Sequence, residues 1–193
     1  MKTILLKGEK RADLGTKFSK AERNEGKVPC VLYSKDSHEH FVVYRQDFKN
    51  LVYTPNTYKV KLSIEGKEYN AILQDIQFHP VNDLILHADF LQVDDKTPVV
   101  MNIPINITGN APGVRAGGKL IQKISKVQVK GLLNDLPDFI EISIDSLNIG
   151  QSIKVKDVET AKFQILDAAE NAIVSCKTTR NVVAADAAAT AAK

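Results

Sequence analysis

Tyr58-Lys59-Val60-Lys61-Leu62-Ser63-Ile64 alternates strictly between polar or half-polar and apolar residues, and Glu65-Gly66-Lys67 follows it with a turn signal. Period-two alternation is the pattern of a half-buried strand, because successive side chains point to opposite faces. The glycine-bearing turn sends the chain back through Tyr69–Asp75, so the stretch reads as a β-hairpin. Asn82-Asp83 turns the chain again ahead of Leu84–Val93.

Toward the amino end, Lys2–Lys7 reads as a first strand. Ser19–Glu25 reads as one or two helical turns, with Ser19 as N-cap, Glu22 three residues on and Gly26 as the stop. Pro29 prevents continuation, so the extended run Cys30-Val31-Leu32-Tyr33 is expected to begin after it. Phe41–Tyr44 is another strand, and Phe48, Leu51 and Val52 give Asp47–Val52 the spacing of a short amphipathic helix. Six short strands separated by turn signals predict a small, largely closed barrel.

Asp94-Asp95-Lys96-Thr97-Pro98 marks a domain boundary, giving a first domain over 1–95 and a second over 96–181. In the second, Val99–Thr108 alternates around Pro104, which argues for an edge strand or a bulge. Gly109-Asn110-Ala111-Pro112-Gly113 and Gly117-Gly118 read as a flexible stretch, and Lys119–Lys130 as one long amphipathic strand region. Phe139–Ile144, Ser152–Val155, Phe163–Leu166 and Ala172–Lys177 are further strands, so this domain is also mainly β. The alanine-rich residues 182–193 are too short to hold an isolated helix and are expected to form a disordered tail.

Composition places the chain among ordinary globular proteins, at 44% hydrophobic and 25% charged residues. No apolar run approaches the roughly 20 residues that span a bilayer, and the apolar run at the amino end stops after three residues. Cys30 and Cys176 stand far apart without framework spacing, which points to a cytosolic protein with reduced thiols. The net charge of +3 hides an asymmetry. Residues 1–35 hold nine Lys or Arg against four Asp or Glu, whereas residues 36–95 hold five against ten. A local positive concentration favours phosphate, since each neutralised phosphate releases counterion.

Between Gln74 and Phe90 lies a polar cluster inside strand-like sequence: Gln74, Gln77, His79, His87 and Asp89. Taken singly, a histidine on a strand reads as a paired structural residue. Together these side chains both donate and accept, as a surface reading base edges and riboses must. Signals for catalysis are weak. Cys30 with His79 or His87 would be the pair for a small hydrolase, but its setting between Pro29 and apolar residues reads as a buried structural thiol. His38-Glu39-His40 lacks further metal ligands, and the glycines of 113–118 match neither a phosphate loop nor a dinucleotide fingerprint. No catalytic constellation, cofactor site or metal site is expected. The rival non-catalytic reading is a β-rich protein-interaction module.

Arg11-Ala12-Asp13-Leu14-Gly15, Ser19-Lys20 through Arg23, Gly26-Lys27-Val28-Pro29-Cys30-Val31-Leu32-Tyr33 and the block from Gln74 to Phe90 together resemble a known family. So do Ile103-Pro104-Ile105, Gly117-Gly118-Lys119-Leu120, Leu136-Pro137 and Leu147-Asn148-Ile149-Gly150-Gln151-Ser152-Ile153 in the second half. The family is bacterial large-subunit ribosomal protein L twenty-five, in the longer form called CTC or general stress protein. The likeness covers all but the alanine-rich tail. It implies a cytoplasmic constituent of the ribosome that binds 5S rRNA in the central protuberance. The family's first domain is a six-stranded barrel, similar to the anticodon-binding barrel of glutaminyl-tRNA synthetase, and docks on the loop E region.

By position, the family's RNA contacts fall on Arg11, Ser19, Lys20, Tyr33, Gln74, His87 and Asp89, with Lys17, Arg23 and His79 beside them. Lys17, Lys20 and Arg23 would meet phosphates, while Gln74, His87 and Asp89 would make the selective bonds. Tyr33 would stack on a base or bond a ribose. Thr16 and Ala21 stand where basic residues are commoner in the family, and Ser34 where a glycine is usual. The second domain, with eleven Lys or Arg against nine Asp or Glu from residue 97 onward, has no basic stripe, which favours a protein-contact or shape role on the ribosome and leaves contacts with neighbouring ribosomal proteins or 23S rRNA open.

Overall fold

A computed structural model describes residues 1–34, 38–94, 97–158 and 163–179; the expected disordered tail over 182–193 lies outside the described residues. The chain divides into two compact units, one of Met1–Met101 with Leu132–Asp138 and one of Asn102–Gly131 with Phe139–Lys193. The first unit contains β1 (Lys2–Lys10), α1 (Thr16–Asn24), β2 (Lys27–Tyr33), β3 (His38–Tyr44), the one-turn α2 (Lys49–Val52), β4 (Tyr58–Ile64), β5 (Lys67–Phe78) and β6 (Ile85–Gln92). Its six strands close into a barrel in the order β1-β3-β2-β6-β5-β4. Closure removes every free edge, and it uses two parallel contacts, β1 with β4 and β2 with β6.

The expected alternation fills the interior. Val60, Leu62 and Ile64 of β4 are buried, as are Phe41 and Val43 of β3. Phe90 is fully buried between Phe41 and Phe48, at ring-centroid distances of 5.8 and 6.3 Å. Truncating such a ring to alanine costs about 3–5 kcal/mol. At the β4–β5 turn both Glu65 (φ 48°) and Gly66 (φ 83°) are left-handed, the backbone that a two-residue hairpin needs to follow strand twist.

Two local expectations are corrected in this unit. Helix α1 starts at Thr16, not after Ser19. Gly15 takes the N-cap position, and the Ser19 hydroxyl donates back to the Gly15 carbonyl at 3.0 Å from inside the first turn. Strand β2 likewise begins at Lys27 and runs through Pro29, because its ladder with β6 opens only at Cys30, one residue later.

The second unit holds most of β7 (Val99–Thr108), then α3 (Pro112–Arg115, a single turn), β8 (Lys119–Gln122), β9 (Lys126–Gly131), β10 (Ile140–Ser143), β11 (Ser152–Lys154), β12 (Gln164–Ile165) and β13 (Ala172–Lys177). These form a four-stranded sheet, β10-β7-β9-β12, and a three-stranded sheet, β11-β13-β8. Strand β7 is therefore interior rather than an edge. Pro104 is tolerated as Pro29 is, since the parallel ladder with β10 begins at Ile105. The expected long strand over Lys119–Lys130 is two strands in different sheets, parted at Lys123–Ser125. Within the glycine-rich segment Gly113 and Gly118 are closely packed. A Cβ on Gly113 would lie 2.7 Å from the Ile149 nitrogen, and one on Gly118 would lie 2.7 Å from Cys176 Sγ. Among the described residues no helix is long and apolar enough to cross a membrane.

Candidate nucleic-acid interface

Strand β5 sends Ala71 into the core with Tyr69 and Leu73 packed against it, and then Ile76, so its inward phase slips by one residue. The slip is a bulge. The register passes from Leu73 opposite Phe90 to Asp75 opposite Asp89, leaving Gln74 and Asp75 against a single partner. A second irregularity, between Gln77 opposite His87 and Phe78 opposite Ile85, does the same to β6. There Ala88 and Phe90 face inward and the next inward residue back is Ile85. Between the two bulges the outer face of β5 and β6 carries Gln74, Asp75 and Gln77 across from Asp89 and His87. Gln74, Asp75 and Gln77 are exposed.

His87 Nδ1 lies 2.8 Å from Asp89 Oδ1, with side chains 31% and 29% exposed. The two groups are close enough to act as a pair, although Asp89 Oδ1 is shut from solvent and makes no hydrogen bond of good angle among the described residues. Asp75 faces Asp89 across the ladder, but its Oδ1 is occupied by the Ile76 N–H at 2.8 Å. On the neighbouring strand Val31 pairs with Asp89 and Tyr33 with Leu91. Tyr33 is exposed, and His38 meets its ring edge-on at 5.2 Å. His79 has a different task. Its N–H donates to the Leu84 carbonyl at 2.8 Å and its Nδ1 accepts the Val81 N–H at 3.3 Å, so it shapes the end of the β5–β6 hairpin.

Helix α1 packs on β2 yet buries none of its own residues. Polar ties hold it instead. Arg11 donates from Nε to Glu22 Oε1 at 2.9 Å and from Nη2 to Ser19 Oγ at 3.0 Å, with only 7% of its side chain exposed. Arg23 Nε donates to the Leu86 carbonyl at 2.9 Å, one residue before His87. Arg45 Nη2 donates to the Arg23 carbonyl at 3.3 Å and so closes the last turn. Of the expected basic contacts, Arg11 and Arg23 are therefore tied to neighbouring groups that anchor α1. Lys17 and Lys20 are fully available on the helix surface.

The structure brings Arg11 and Ser19 together, ties Arg23 to β6, and sets Gln74, His87 and Asp89 on one face, with Tyr33 one strand away. It does not join His79 to that row. Three neighbours were not read from the sequence as part of this site. Glu22 anchors Arg11, and its signal was the three-residue helical spacing from Ser19. His38 touches Tyr33; its alternation with His40 reads as one strand face rather than as a metal pair. Phe18, 45% exposed between Lys17 and Lys20, offers a stacking surface.

Cys30 is fully buried in the barrel, and burial, followed by the Asp89 charge, pushes its thiol well above the usual range. Such a thiol is a poor nucleophile. Among the described residues no group of three or more His, Cys, Asp or Glu is arranged to hold a metal ion.

The sequence profile of the Ribosomal L25p family matches residues 6–90, and that of ribosomal protein TL5, C-terminal domain, matches residues 98–180. Large ribosomal subunit protein bL25 of Phocaeicola vulgatus is 44% identical over 200 aligned residues, covering 100% of both chains. The bL25 of Cytophaga hutchinsonii is 43% identical, covering 98% of each chain. That of Christiangramia forsetii is 45% identical over 95% of this chain and 84% of its own. With this identity sustained from end to end, the chain belongs to the bL25 family of large ribosomal subunit proteins, in the form that carries a TL5-type C-terminal domain.

Proposed function

We propose that the chain is a structural, non-catalytic constituent of the large ribosomal subunit in the cytoplasm, and that it binds 5S rRNA at the loop E region. The observation that carries this reading is the doubly bulged outer face of β5 and β6, which presents Gln74, His87 and Asp89 side by side on a rigid barrel. A region of non-Watson–Crick pairs exposes donors and acceptors that a regular A-form groove hides, and this face matches it with both kinds of group. Asp89 is the informative member. Phosphate repels a carboxylate, so its place on the face suits acceptance from a base amino or imino group and orientation of His87.

Lys17 and Lys20 set the register on phosphates, while Arg11, Ser19 and Arg23 hold the helix in place and add contacts from its edge. Tyr33 supplies a ring or hydroxyl beside the row, and His79 shapes the hairpin that carries it. In this reading residues 1–95 form the RNA-binding domain, and residues 96–181 form a domain that contacts neighbouring ribosomal proteins or 23S rRNA. Membership of a family of ribosomal proteins supports the structural role and leaves the protein-interaction reading without a feature of its own. Hydroxyl-radical footprinting of 5S rRNA with the full chain tests it. Protection centred on loop E is expected, and protection spread evenly over the RNA would contradict the assignment.

A further inference from the structure

Where α1 ends, Gly26, Arg45, Gln46, Lys49 and Tyr53 line an open pocket of about 540 Å³ on the first unit. Two of these residues are cations and none is an acid. Gly26 takes a left-handed backbone (φ 82°), and its carbonyl accepts the Arg45 N–H at 3.0 Å, so the turn that stops the helix also seats Arg45 at the pocket. The Arg45 guanidinium is under-satisfied. One nitrogen reaches the Arg23 carbonyl at 3.3 Å, whereas Nε is shut from solvent with no hydrogen-bond partner among the described residues. The buried Nε is out of an external ligand's reach, but among the described residues the guanidinium meets only a neutral carbonyl, so its charge at the pocket is left for an oxyanion to offset. Lys49 is exposed and makes no ion pair among the described residues, and Tyr53, 61% exposed, brings a ring and a hydroxyl. The nearest acids in sequence, Glu25 and Asp47, do not line the pocket, and Glu25 acts on Lys27 instead.

The pocket is tied to the polar face by consecutive contacts. Arg45 holds the Arg23 carbonyl, Arg23 holds the Leu86 carbonyl, and Leu86 precedes His87. We infer that this pocket is a phosphate-binding subsite that takes a backbone phosphate of the RNA flanking the stretch met by Gln74, His87 and Asp89; the inference rests on the RNA-binding reading above. Two cations on a concave wall fix one phosphate, and a phosphate fixed beyond the base-contacting face sets the angle at which the duplex leaves it.

The test uses the full chain with Lys49→Gln and Arg45→Gln, against whole 5S rRNA and against a loop E fragment trimmed of its flanking helices. Lys49→Gln removes a side chain that holds nothing else, so it separates binding from folding, whereas Arg45→Gln also loosens α1. Lys49→Gln is expected to weaken whole 5S rRNA roughly three- to tenfold at low salt and to flatten the log–log salt dependence by about one. Its affinity for the trimmed fragment should equal that of the parent chain. Unchanged affinity and slope for whole 5S rRNA, with the parent chain binding normally, would overturn the inference alone. Failure of the parent chain to bind 5S rRNA would remove the RNA-binding reading and this one with it. Titration with inorganic phosphate followed by NMR supplies the last arm. A phosphate response that Lys49→Gln abolishes, with RNA affinity untouched, would assign the pocket to a free anion and contradict the RNA assignment.

Discussion

Asp89 Oδ1 stands 2.8 Å from His87 Nδ1 on the outer face of β6, two residues apart on one strand and opposite the β5 bulge. The distance places the two polar side chains as neighbours on one face, although their angle makes no hydrogen bond and leaves the buried Asp89 Oδ1 without a partner among the described residues. Replacing Asp89 with asparagine or His87 with alanine is expected to cut discrimination between loop E RNA and a plain duplex by about 1–3 kcal/mol. The barrel should keep its melting temperature, because neither side chain enters the core. Competition binding with both RNAs checks the first point and thermal unfolding the second. Equal losses on both RNAs would sink the selective role.

Arg11 to alanine acts differently. It strips Glu22 of its partner, and Glu22 Oε2 is already shut from solvent without a hydrogen bond. A loss of about 1–3 kcal/mol of stability is expected from the stranded acceptor. The double change Arg11→Ala with Glu22→Ala should cost less than the sum of the singles. Denaturant unfolding of the four proteins measures the coupling, and strict additivity would mean the pair does not hold α1.

Burial raises the Cys30 thiol, and the sign of its pH effect follows. The folded protein keeps the proton to higher pH than the unfolded chain. This contribution to stability is therefore complete below the ordinary thiol range of about 8.5 and declines as pH rises beyond it. Native Cys30 should resist a thiol reagent at pH 8 and react on unfolding. Rapid native labelling, located by peptide mapping, would contradict the buried position.

Gly118 to alanine is expected to destabilise the second unit by about 1–3 kcal/mol. The added Cβ would meet Cys176 Sγ at 2.7 Å and the Gly113 carbonyl at the same distance. Hydrogen exchange should place the loss at β8 and β13, whose ladder pairs Leu120 with Cys176. Unchanged protection there would show that the segment has room to shift.

The barrel was legible because Tyr58–Ile64 keeps strict alternation and Glu65-Gly66 supplies the left-handed pair that its turn requires. The bulges at Gln74 and Leu86 were not. A one-residue phase slip inside a polar stretch looks, in sequence, like a few more polar residues. The break between β8 and β9 was hidden for a related reason: Gln122-Lys123-Ile124-Ser125 contains no glycine or proline, and only the sheets show that the chain changes partner there. The polar cluster announced itself because its members are close along the chain. The Arg11–Glu22 clamp did not, since it joins the strand exit to the middle of a helix eleven residues on.

The measurement that bears most directly on the central claim is binding of the full chain to a loop E fragment of 5S rRNA across a salt series, with a plain A-form duplex as control. Selective binding to loop E that persists at moderate salt, and that weakens when Asp89 is replaced, is the expected result. Equal binding to both RNAs, erased together as salt rises, would mean that only the lysines of α1 hold RNA and that the doubly bulged face does not read it.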